Sequence, residues 1–415
     1  MALGLAAGFV GCMPSRNIVF EAPDTEEPGV RLTFFGNKHD TLNVLAIEDI
    51  LRSYMDEHPD VSITYESVKG NAYYDALDKR LDAGVGDDAF MVNHDAVLEL
   101  GAHGHLADLS GLATIPSFSD LALSQMGSGS AIAYVPTSIS AFGLFCNMDL
   151  LKQRGLEPPR TLSDFEAACE ALAQAGRAPI VANNDISLKT IALARGLAET
   201  YAKRDTAADI RAFNEDPSVL AERLRPGFDL VARFVERGWV DAQEALATEK
   251  NSDDLALFAA GERPFMLAGA WTSVRVHDLA PDMRFEVHPY PVLDDRPVLV
   301  VNVDTRVSVN ADGENLEQTM DFIAHFTQPE NINLFANSQC SFSPLAGNAA
   351  PDDEAVAPLA AAFGDGAVIG SDDNLLMPIW EATRKCAVAQ LEGADGARAE
   401  QLLAELLASQ EGDAA

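Results

Sequence analysis

The segment from Leu257 to Trp271 combines residue types that could hold a ligand. Its sequence, L-F-A-A-G-E-R-P-F-M-L-A-G-A-W, predicts a helix that ends at Gly261, a short buried strand over 265–268 and a tight turn at Gly269. Trp271 follows directly after the end of that strand. Ligands of open α/β sheets lie at the ends of strands. The pattern therefore indicates that Trp271 presents a large apolar surface to a binding site.

Four potential metal ligands, His94, Asp95, His103 and His105, lie close together in the sequence. Imidazole and carboxylate groups are good zinc ligands. However, His94 and Asp95 come just after a predicted strand, whereas His103 and His105 flank Gly104 at a predicted helix end. Because those two places are a helix length apart, we expect solvated turn histidines and no metal site.

Motifs of the common enzyme classes are missing from the sequence. It contains no G-x-x-x-x-G-K-[ST], H-E-x-x-H or G-x-S-x-G, and Gly127-Ser128-Gly129 lacks the third glycine of a dinucleotide fingerprint. Carboxylate pairs are too frequent in so acidic a chain to indicate glycoside hydrolysis. The sequence is thus consistent with a protein that is not an enzyme and needs no cofactor.

Alternating strand and helix patterns predict the elements that position these residues. Apolar strands are expected over 30–35, 61–65 and 88–92, with amphipathic helices between them. This β-α-β-α-β order favours an α/β fold with a mostly parallel sheet. Further along the chain we expect a buried strand over 141–146, helices through much of 188–260, strands over 285–310 and a helical tail over about 374–410.

Composition limits the architecture and the partners. The chain has 415 residues, 47% of them apolar, which suits two domains. Lys and Arg number 29 against 64 Asp and Glu, a formal net charge of −35, so nucleic acid and anionic headgroups are poor partners. Apart from Cys12, the cysteines form no C-x-x-C pair. We expect buried free thiols at Cys146, Cys169, Cys340 and Cys386.

An uncharged apolar run, Ala2–Gly11, stops at Cys12 and resembles the end of a bacterial lipoprotein signal peptide. The resemblance implies that residues 1–12 are the signal peptide and that Cys12 carries lipid, although no Lys or Arg precedes Arg16. The run is about half the roughly twenty residues that a spanning helix needs. Residues 13–30 are expected to be a flexible tether. The protein would then be extracytoplasmic, lipid-anchored to the outer face of the cytoplasmic membrane.

Six segments, in order, resemble motifs of the extracellular solute-binding proteins of ABC importers, in the sugar-binding, maltose-binding-protein-like group called family 1. One departure lies in the segment Gly155–Phe165, where Leu162 stands at a position that is often Trp in the family. The resemblance covers about residues 30–410. Its segments are Asp88–Asp95 with Gly104–Leu109, Ala133–Thr137, Gly143–Leu150, Gly155–Phe165 (the G-L-x-x-P-x-T-W-x-E-F pattern), Leu257–Trp271 (F-x-x-G-K-A-A-M-x-x-x-G-x-W) and Pro289–Pro291 (P-x-P).

This resemblance implies a two-lobe periplasmic-binding-protein-like fold, with a ligand cleft between the lobes and hinge crossovers. The expected N-terminal lobe is 31–134 plus 272–312, and the expected C-terminal lobe is 135–271 plus 313–415. The lobes would close on a carbohydrate by hinge motion and deliver it to a membrane permease whose partner ATPase faces the cytosol. We expect a monomer.

The resemblance also implies two aromatic ligand contacts. Trp271 would stack on the apolar face of a sugar ring, unless it serves only lobe packing. Trp380 resembles a second cleft tryptophan, with helix packing as the alternative, and Trp239 is expected to be structural. Val92 stands near a position that is tryptophan in the maltose binder, and only 7% of the residues are aromatic. A mono- or disaccharide, or a polyol, is therefore expected rather than a long oligosaccharide.

The resemblance also implies polar ligand contacts, which follow the first and third strands or lie on the crossing strand and in a later loop. For several of them the alternative is an ordinary loop or a helix cap. A carboxylate such as Asp95 can accept hydrogen bonds from two adjacent hydroxyls. The polar candidates are Asn37, Lys38, His39, Asn93, His94, Asp95, Ser140, Asn184 and Asp185.

Two alternatives remain open at this point. The same fold could bind a polyamine, a metal or an osmolyte, which an acidic surface would tolerate; carboxylates and aromatic cages around a cation would favour that ligand class. A secreted glycosidase would instead need two carboxylates that face each other across the cleft.

Overall fold

The computed structural model describes residues 18–20, 29–70, 72–126, 131–173, 177–202, 206–365, 368–372 and 374–411, so the expected signal peptide and Cys12 lie outside the described residues. The strands are β1 Ile18–Phe20, β2 Val30–Gly36, β3 Val61–Ser67, β4 Ala89–Val92, β5 Val135–Asn147, β6 Ile180–Val181, β7 Phe265–Gly269, β8 Phe285–His288, β9 Leu299–Val309 and β10 Val368–Gly370.

Helices surround these strands, and three short 3-10 helices lie at 115–117, 270–272 and 354–356. The α-helices are α1 Thr41–Glu57, α2 Ala72–Asp82, α3 His94–Ala102, α4 Asp120–Met126, α5 Met148–Gln153, α6 Leu162–Ala173, α7 Ile186–Tyr201, α8 Thr206–Glu215, α9 Pro217–Glu236, α10 Ala242–Ala247, α11 Asp253–Ala259, α12 Ser273–Leu279, α13 Leu316–Phe326, α14 Pro329–Ser338, α15 Ala357–Asp365, α16 Ile379–Leu391 and α17 Gly396–Glu411.

The first lobe has the parallel sheet that the alternating patterns predict. β2 pairs in parallel with both β3 and β4, and α1 and α2 make the connections between them. Phe34 and Phe35, neighbours on β2, are both fully buried, because helices cover both faces of this sheet. The carboxyl ends of these strands carry the loops that begin at Asn37 and Asn93.

The expected tether over 13–30 is wrong at one place. Ile18–Phe20 forms β1, which pairs antiparallel with the edge of β3, and the Phe20 side chain is buried in the first core. Arg52 lies over the Phe20 ring at 5.0 Å. An apolar triplet that can add to a sheet edge gains burial and backbone hydrogen bonds that a free linker lacks.

The second lobe has a sheet with a separate core on each face. Along β5, Leu144 and Cys146 point into the core that contains α7, α9, α16 and α17. Ala141 and Phe145 point into the opposite core, which contains α11, α12 and α15. This alternation is the period of two that a strand imposes on its side chains. All four described cysteines are buried free thiols, as expected.

Two long strands connect the lobes. β5 and β9 are paired antiparallel from Val135 opposite Val307 to Phe142 opposite Val300. Val135 and Val307 lie in the first core, whereas Phe142 and Val300 lie in the second. A third connection follows α14, where Phe342 exchanges backbone hydrogen bonds with Ile139 on β5.

The packing differs from the expected lobe boundaries in two segments. α13 and α14, expected in the second lobe, bury Phe322, Phe326 and Phe335 in the first core. The segment from α12 through β8, expected in the first lobe, packs in the second. Helical periodicity predicts that each of these segments has a buried face, but it does not identify the core that covers it.

No helix among the described residues is long and apolar enough to cross a membrane.

The contact between α7 and α9 supplies a test of the fold. A Cβ added at Gly227 would lie 2.0 Å from the Ala192 carbonyl oxygen. We expect Gly227→Ala to lower the free energy of unfolding by about 1–3 kcal/mol, because the helices would have to separate. Gly111→Ala is the control, since its Cβ would have no heavy atom within 4 Å. Urea unfolding measures both, and equal stabilities would contradict this packing.

Candidate ligand-binding cleft

The floor of the cleft is polar because β5 and β9 change character where they pass between the lobes. The Ser140 hydroxyl donates to Asp304 Oδ2 at 2.9 Å, and the Thr137 hydroxyl donates to the Thr305 carbonyl oxygen at 2.7 Å. Ser140 and Thr137 are nearly inaccessible to solvent. Burying a polar group costs free energy unless it is hydrogen-bonded. Because these hydroxyls are paired, the two strands hold a defined polar surface at the centre of the molecule.

An aromatic wall rises from this floor. The Phe142 ring lies 5.3 Å from the Trp271 ring, edge to face, and 5.6 Å from the Trp380 ring. Both tryptophans are partly exposed, whereas Phe142 is buried. A Cβ at Gly269 would lie 2.1 Å from the Trp271 ring, so only glycine leaves room for this ring position. The wall offers two indole rings with accessible apolar faces, supported from behind by a third ring.

Trp380 is held in place by Asp372, a fully buried carboxylate. Trp380 Nε1 donates to Asp372 Oδ2 at 2.9 Å, and Arg306 Nη2 donates to the same oxygen at 3.2 Å. Burial lowers the pKa of Arg306, but Asp372 together with Tyr134 and Asp304 raises it overall. His94 Nδ1 lies 3.9 Å from Asp372, and His94 Nε2 donates to the Met377 carbonyl oxygen at 3.2 Å. His94 is thus buried between the lobes.

Asp95 lies next to this group with unused hydrogen-bonding capacity. Its carboxylate accepts a hydrogen bond from the Glu381 backbone N–H across the cleft, whereas its Oδ1 is buried without a partner among the described residues. Burial first, and repulsion by Asp372 second, raise the pKa of Asp95 to about 7. A carboxyl group in this state can accept a hydrogen bond or donate one. It is suited to a hydroxyl-bearing ligand.

Lys189 extends the wall on the second lobe. Its ammonium lies 4.9 Å from the centre of the Trp380 ring and 2.6 Å from Asp185 Oδ1. Lys250 also binds the Asp185 carboxylate. Burial raises the pKa of Asp185, but the two lysines lower it to about 2 overall. Asp185 is therefore an ionised partner of two cations.

The loop after β2 reaches the floor from the first lobe. Burial lowers the pKa of Lys38, and Asp304 and Asp40 oppose that effect. Asn37 Nδ2 donates to the Tyr74 hydroxyl at 3.5 Å. The Asp40 carboxylate lies at the start of α1 but does not cap it, and it binds Arg275 of the second lobe at 2.9 Å.

The structure brings together some of the expected ligand contacts and assigns others to backbone hydrogen bonds. The Asn93 side chain accepts from the Ala96 N–H as the cap of α3, and Asn184 donates to the Leu246 carbonyl oxygen. His39 is exposed, with Nδ1 3.2 Å from the Asn37 carbonyl oxygen. Among the other expected residues, Ser140 bonds Asp304, and Lys38 lies near the same carboxylate. Asp95 bonds the backbone of Glu381. Trp271 and Trp380 both pack against Phe142.

Several cleft residues were missed by sequence reasoning, although three of them left a trace. Asp304 and Arg306 are the two charged residues of β9, and charged residues within a buried strand indicate a paired or functional group. Lys189 similarly interrupts the buried helix α7. Asp372 and Tyr74 lie in ordinary sequence surroundings, and only the fold brings them to the cleft.

Comparison with known families agrees with this architecture. Residues 49–362 match the family described as bacterial extracellular solute-binding protein. The chain belongs to this family. No curated protein matches its sequence significantly.

Solved structures show the same two-lobe fold as this solute-binding protein. A sugar transporter from Bacillus licheniformis, solved with stachyose, is 19% identical with a TM-score of 0.69, over 91% of this chain and 99% of that one. Apo RafE from Streptococcus pneumoniae is 16% identical with a TM-score of 0.69, over 93% and 98%. The GacH receptor of Streptomyces glaucescens, studied with acarbose, is 16% identical with a TM-score of 0.73, over 91% and 97%.

Asp95 predicts a specific dependence of stability on pH. Its pKa of about 7 in the folded state lies above the ordinary value of 3.8, so the unfolded chain ionises Asp95 first as the pH rises. Its contribution to stability is therefore present below about pH 4 and is lost as the pH rises to about 7. Asp95→Asn cannot ionise and escapes this loss.

We expect the free energy of unfolding of Asp95→Asn, relative to the wild type, to rise between about pH 4 and 7 and then to level off. Urea unfolding over a pH series measures the difference. Asp278→Asn, which changes an exposed carboxylate, is the matched control and should give a flat difference. A flat difference for Asp95→Asn as well would show that this carboxyl is not perturbed.

Proposed function

We propose that this protein is the substrate-binding subunit of an ABC importer and captures a small carbohydrate by closing its two lobes. The carbohydrate would lie against Trp271 and Trp380, with Asp95 and the floor residues bonding its hydroxyls. The ligand is then passed unchanged to a membrane permease whose ATPase faces the cytosol. The observation that carries this proposal is the aromatic wall standing beside a polar floor within one cleft.

Sugar chemistry fits this combination. A pyranose has an apolar face of C–H groups, which stacks on an indole ring, and a rim of hydroxyls that need both donors and acceptors. Trp271 and Trp380 supply the indole rings on which the apolar face of the sugar would stack. Acceptors and donors are supplied by Asp95, Asp304 and Lys38. The ligands of the structural neighbours are of the same class, including raffinose with RafE and mannobiose with another relative.

Contacts across the cleft support closure as the capture step. Asp40 of the first lobe binds Arg275 of the second, and Asp95 accepts from the Glu381 backbone N–H. Each contact forms only when the lobes approach. Because β5, β9 and the segment around Phe342 are the connections described between the lobes, bending confined to them opens and closes the cleft.

Two carboxylates near the cleft are already paired with cations of the protein, which argues against a polyamine or metal as the main ligand. Asp372 is neutralised by Arg306, and Asp185 by Lys189 and Lys250. A site built to hold a cation would leave such charges available to it. The neutral, hydroxyl-rich ligand therefore remains the better fit.

The size of the ligand is proposed to be a mono- or disaccharide. Two indole rings, both against Phe142, give a short stacking surface. The position near the cleft at Val92 is buried in the first core and adds no further ring.

Trp271 provides the decisive test of carbohydrate binding. A panel of mono- and disaccharides, polyols, polyamines and divalent metals is screened by thermal shift, because a ligand that binds only the native state raises the melting temperature. We expect a carbohydrate hit whose affinity, measured by calorimetry, falls at least about tenfold in Trp271→Ala, since the stacking surface is lost. Gly269→Ala should act in the same direction by displacing the ring.

Leu334→Ala, at an exposed apolar residue on α14, is the control for non-specific effects and should bind normally. Hits confined to polyamines or metals would overturn the carbohydrate proposal in favour of a cationic ligand. Unfolding of Trp271→Ala would make Trp271 a packing residue, and in that case Trp271→Phe, which keeps a ring, would report on binding.

Lipid attachment at Cys12 is the proposed anchor. We expect Cys12→Ser to move the protein from the membrane fraction to the soluble fraction of cells, since the serine hydroxyl cannot form the thioether. Ser15→Ala, a change of similar size in the same segment, should leave the protein with the membrane. Persistent membrane association of Cys12→Ser would contradict the anchor.

A further inference from the structure

A second candidate site lies at the opposite end of the first lobe from the cleft. Asp82, His103 and His105 each offer one ligand atom, and these three atoms lie within 4.8 Å of one another. His105 Nε2 is 3.4 Å from Asp82 Oδ1, and the rings of His103 and His105 are 6.0 Å apart, nearly perpendicular. Among the described residues this is the single group of its kind.

The backbone holds all three residues in fixed positions. α2 ends at Asp82 with hydrogen bonds from Gly84 N–H to Leu81 and from Val85 N–H to Arg80. α3 ends with hydrogen bonds from the N–H groups of His103 and His105 to Glu99 and Leu100. Gly104 between the two histidines has φ 79°, a left-handed conformation that closes the helix end.

The backbone of His105 is also bonded to the residues that follow β9, one of the two long strands that connect the lobes. Its carbonyl oxygen accepts from the Ala311 N–H at 3.0 Å, and the next residue, Leu106, bridges to Asn310 just after β9. The three metal-ligand candidates therefore lie at the end of α2, at the end of α3 and beside the residues that follow β9. A site that is ordered before binding loses little entropy when it takes an ion.

The sequence alone argued against a metal here, because His94 and Asp95 lie a helix length from His103 and His105. The fold keeps those two pairs apart, but it adds Asp82 from α2, a residue 21 positions before His103 in the sequence. Two imidazoles and one carboxylate form a donor set typical of zinc sites with three protein ligands, in which water takes the fourth position.

We propose that Asp82, His103 and His105 bind a divalent transition-metal ion of the zinc type. The bound ion would join the carboxyl-terminal ends of α2 and α3 and would stabilise the first lobe. Since both helices begin at the cleft and run away from it, the ion lies about one helix length, roughly 13 Å, from the carbohydrate. The site is thus independent of the proposed function.

Other histidine–carboxylate contacts provide matched controls. His277 Nε2 lies 3.2 Å from Asp353 Oδ1 on the second lobe, and no third ligand completes a metal-binding group with this pair within the described part of the chain. If any surface pair of this type were sufficient for metal binding, His277→Ala would reduce binding as much as His103→Ala does.

The experiment is calorimetric titration of the whole metal-free protein with ZnCl₂, alongside the melting temperature with and without the metal. We expect about one equivalent to bind and to raise the melting temperature, with affinity reduced at least about tenfold in both His103→Ala and Asp82→Asn. His277→Ala should bind like the wild type.

Equal zinc affinity in wild type and His103→Ala would overturn the proposal, as would the absence of binding at micromolar protein. His103→Gln, which keeps a polar side chain of similar length, covers the case in which His103→Ala fails to fold. Carbohydrate affinity measured on the same variants should not change, so failure of the metal site leaves the proposed function untouched and the reverse also holds.

Discussion

The buried ion pair between Arg306 and Asp372 is the interaction on which the arrangement of the cleft depends. Arg306 belongs to a strand that joins the two lobes, and Asp372 belongs to the second lobe, in the segment between β10 and the helix that carries Trp380. Removing one partner of such a pair leaves a buried charge at a cost of about 3–5 kcal/mol. The same carboxylate orients the Trp380 indole and raises the pKa of Asp95. The Asp372 carboxylate therefore orients the Trp380 ring, adds to the effect of burial in raising the pKa of Asp95, and binds Arg306 on β9, a strand that joins the lobes.

The sequence predicted the fold class correctly because local patterns decide it. Strands and helices alternate along the first lobe. The motif around Trp271 predicted a buried strand followed by a turn at Gly269; in the structure β7 ends at Gly269, the turn is the 3-10 helix 270–272, and the Trp271 ring is partly exposed. Local patterns could not decide which core α13 and α14 cover, since an amphipathic helix shows only that one face is buried. β1 was assigned to a linker because three apolar residues are too few to show a strand period, and only the fold brings them to the edge of β3.

The candidate site was predicted in part, and the division has a physical cause. Trp271 was expected from its place after a buried strand, whereas Trp380 and Asp95 were expected from the resemblance to the solute-binding family. Asp372 and Lys189 were not, because a buried charge is recognised by its partner, and the partners come together only in the fold. Conversely, Asn93 and Asn184 looked like ligand contacts, but their amides are used by the backbone. Amide side chains serve both purposes with the same chemistry.

A crystal structure of the protein with the carbohydrate that most raises its melting temperature tests the central claim most directly. We predict a sugar ring against the Trp271 indole in the cleft, a sugar hydroxyl bonded to Asp95, and an intact contact between Asp40 and Arg275. A carbohydrate bound outside the cleft, or in it without contact to Trp271 or Trp380, would contradict the account.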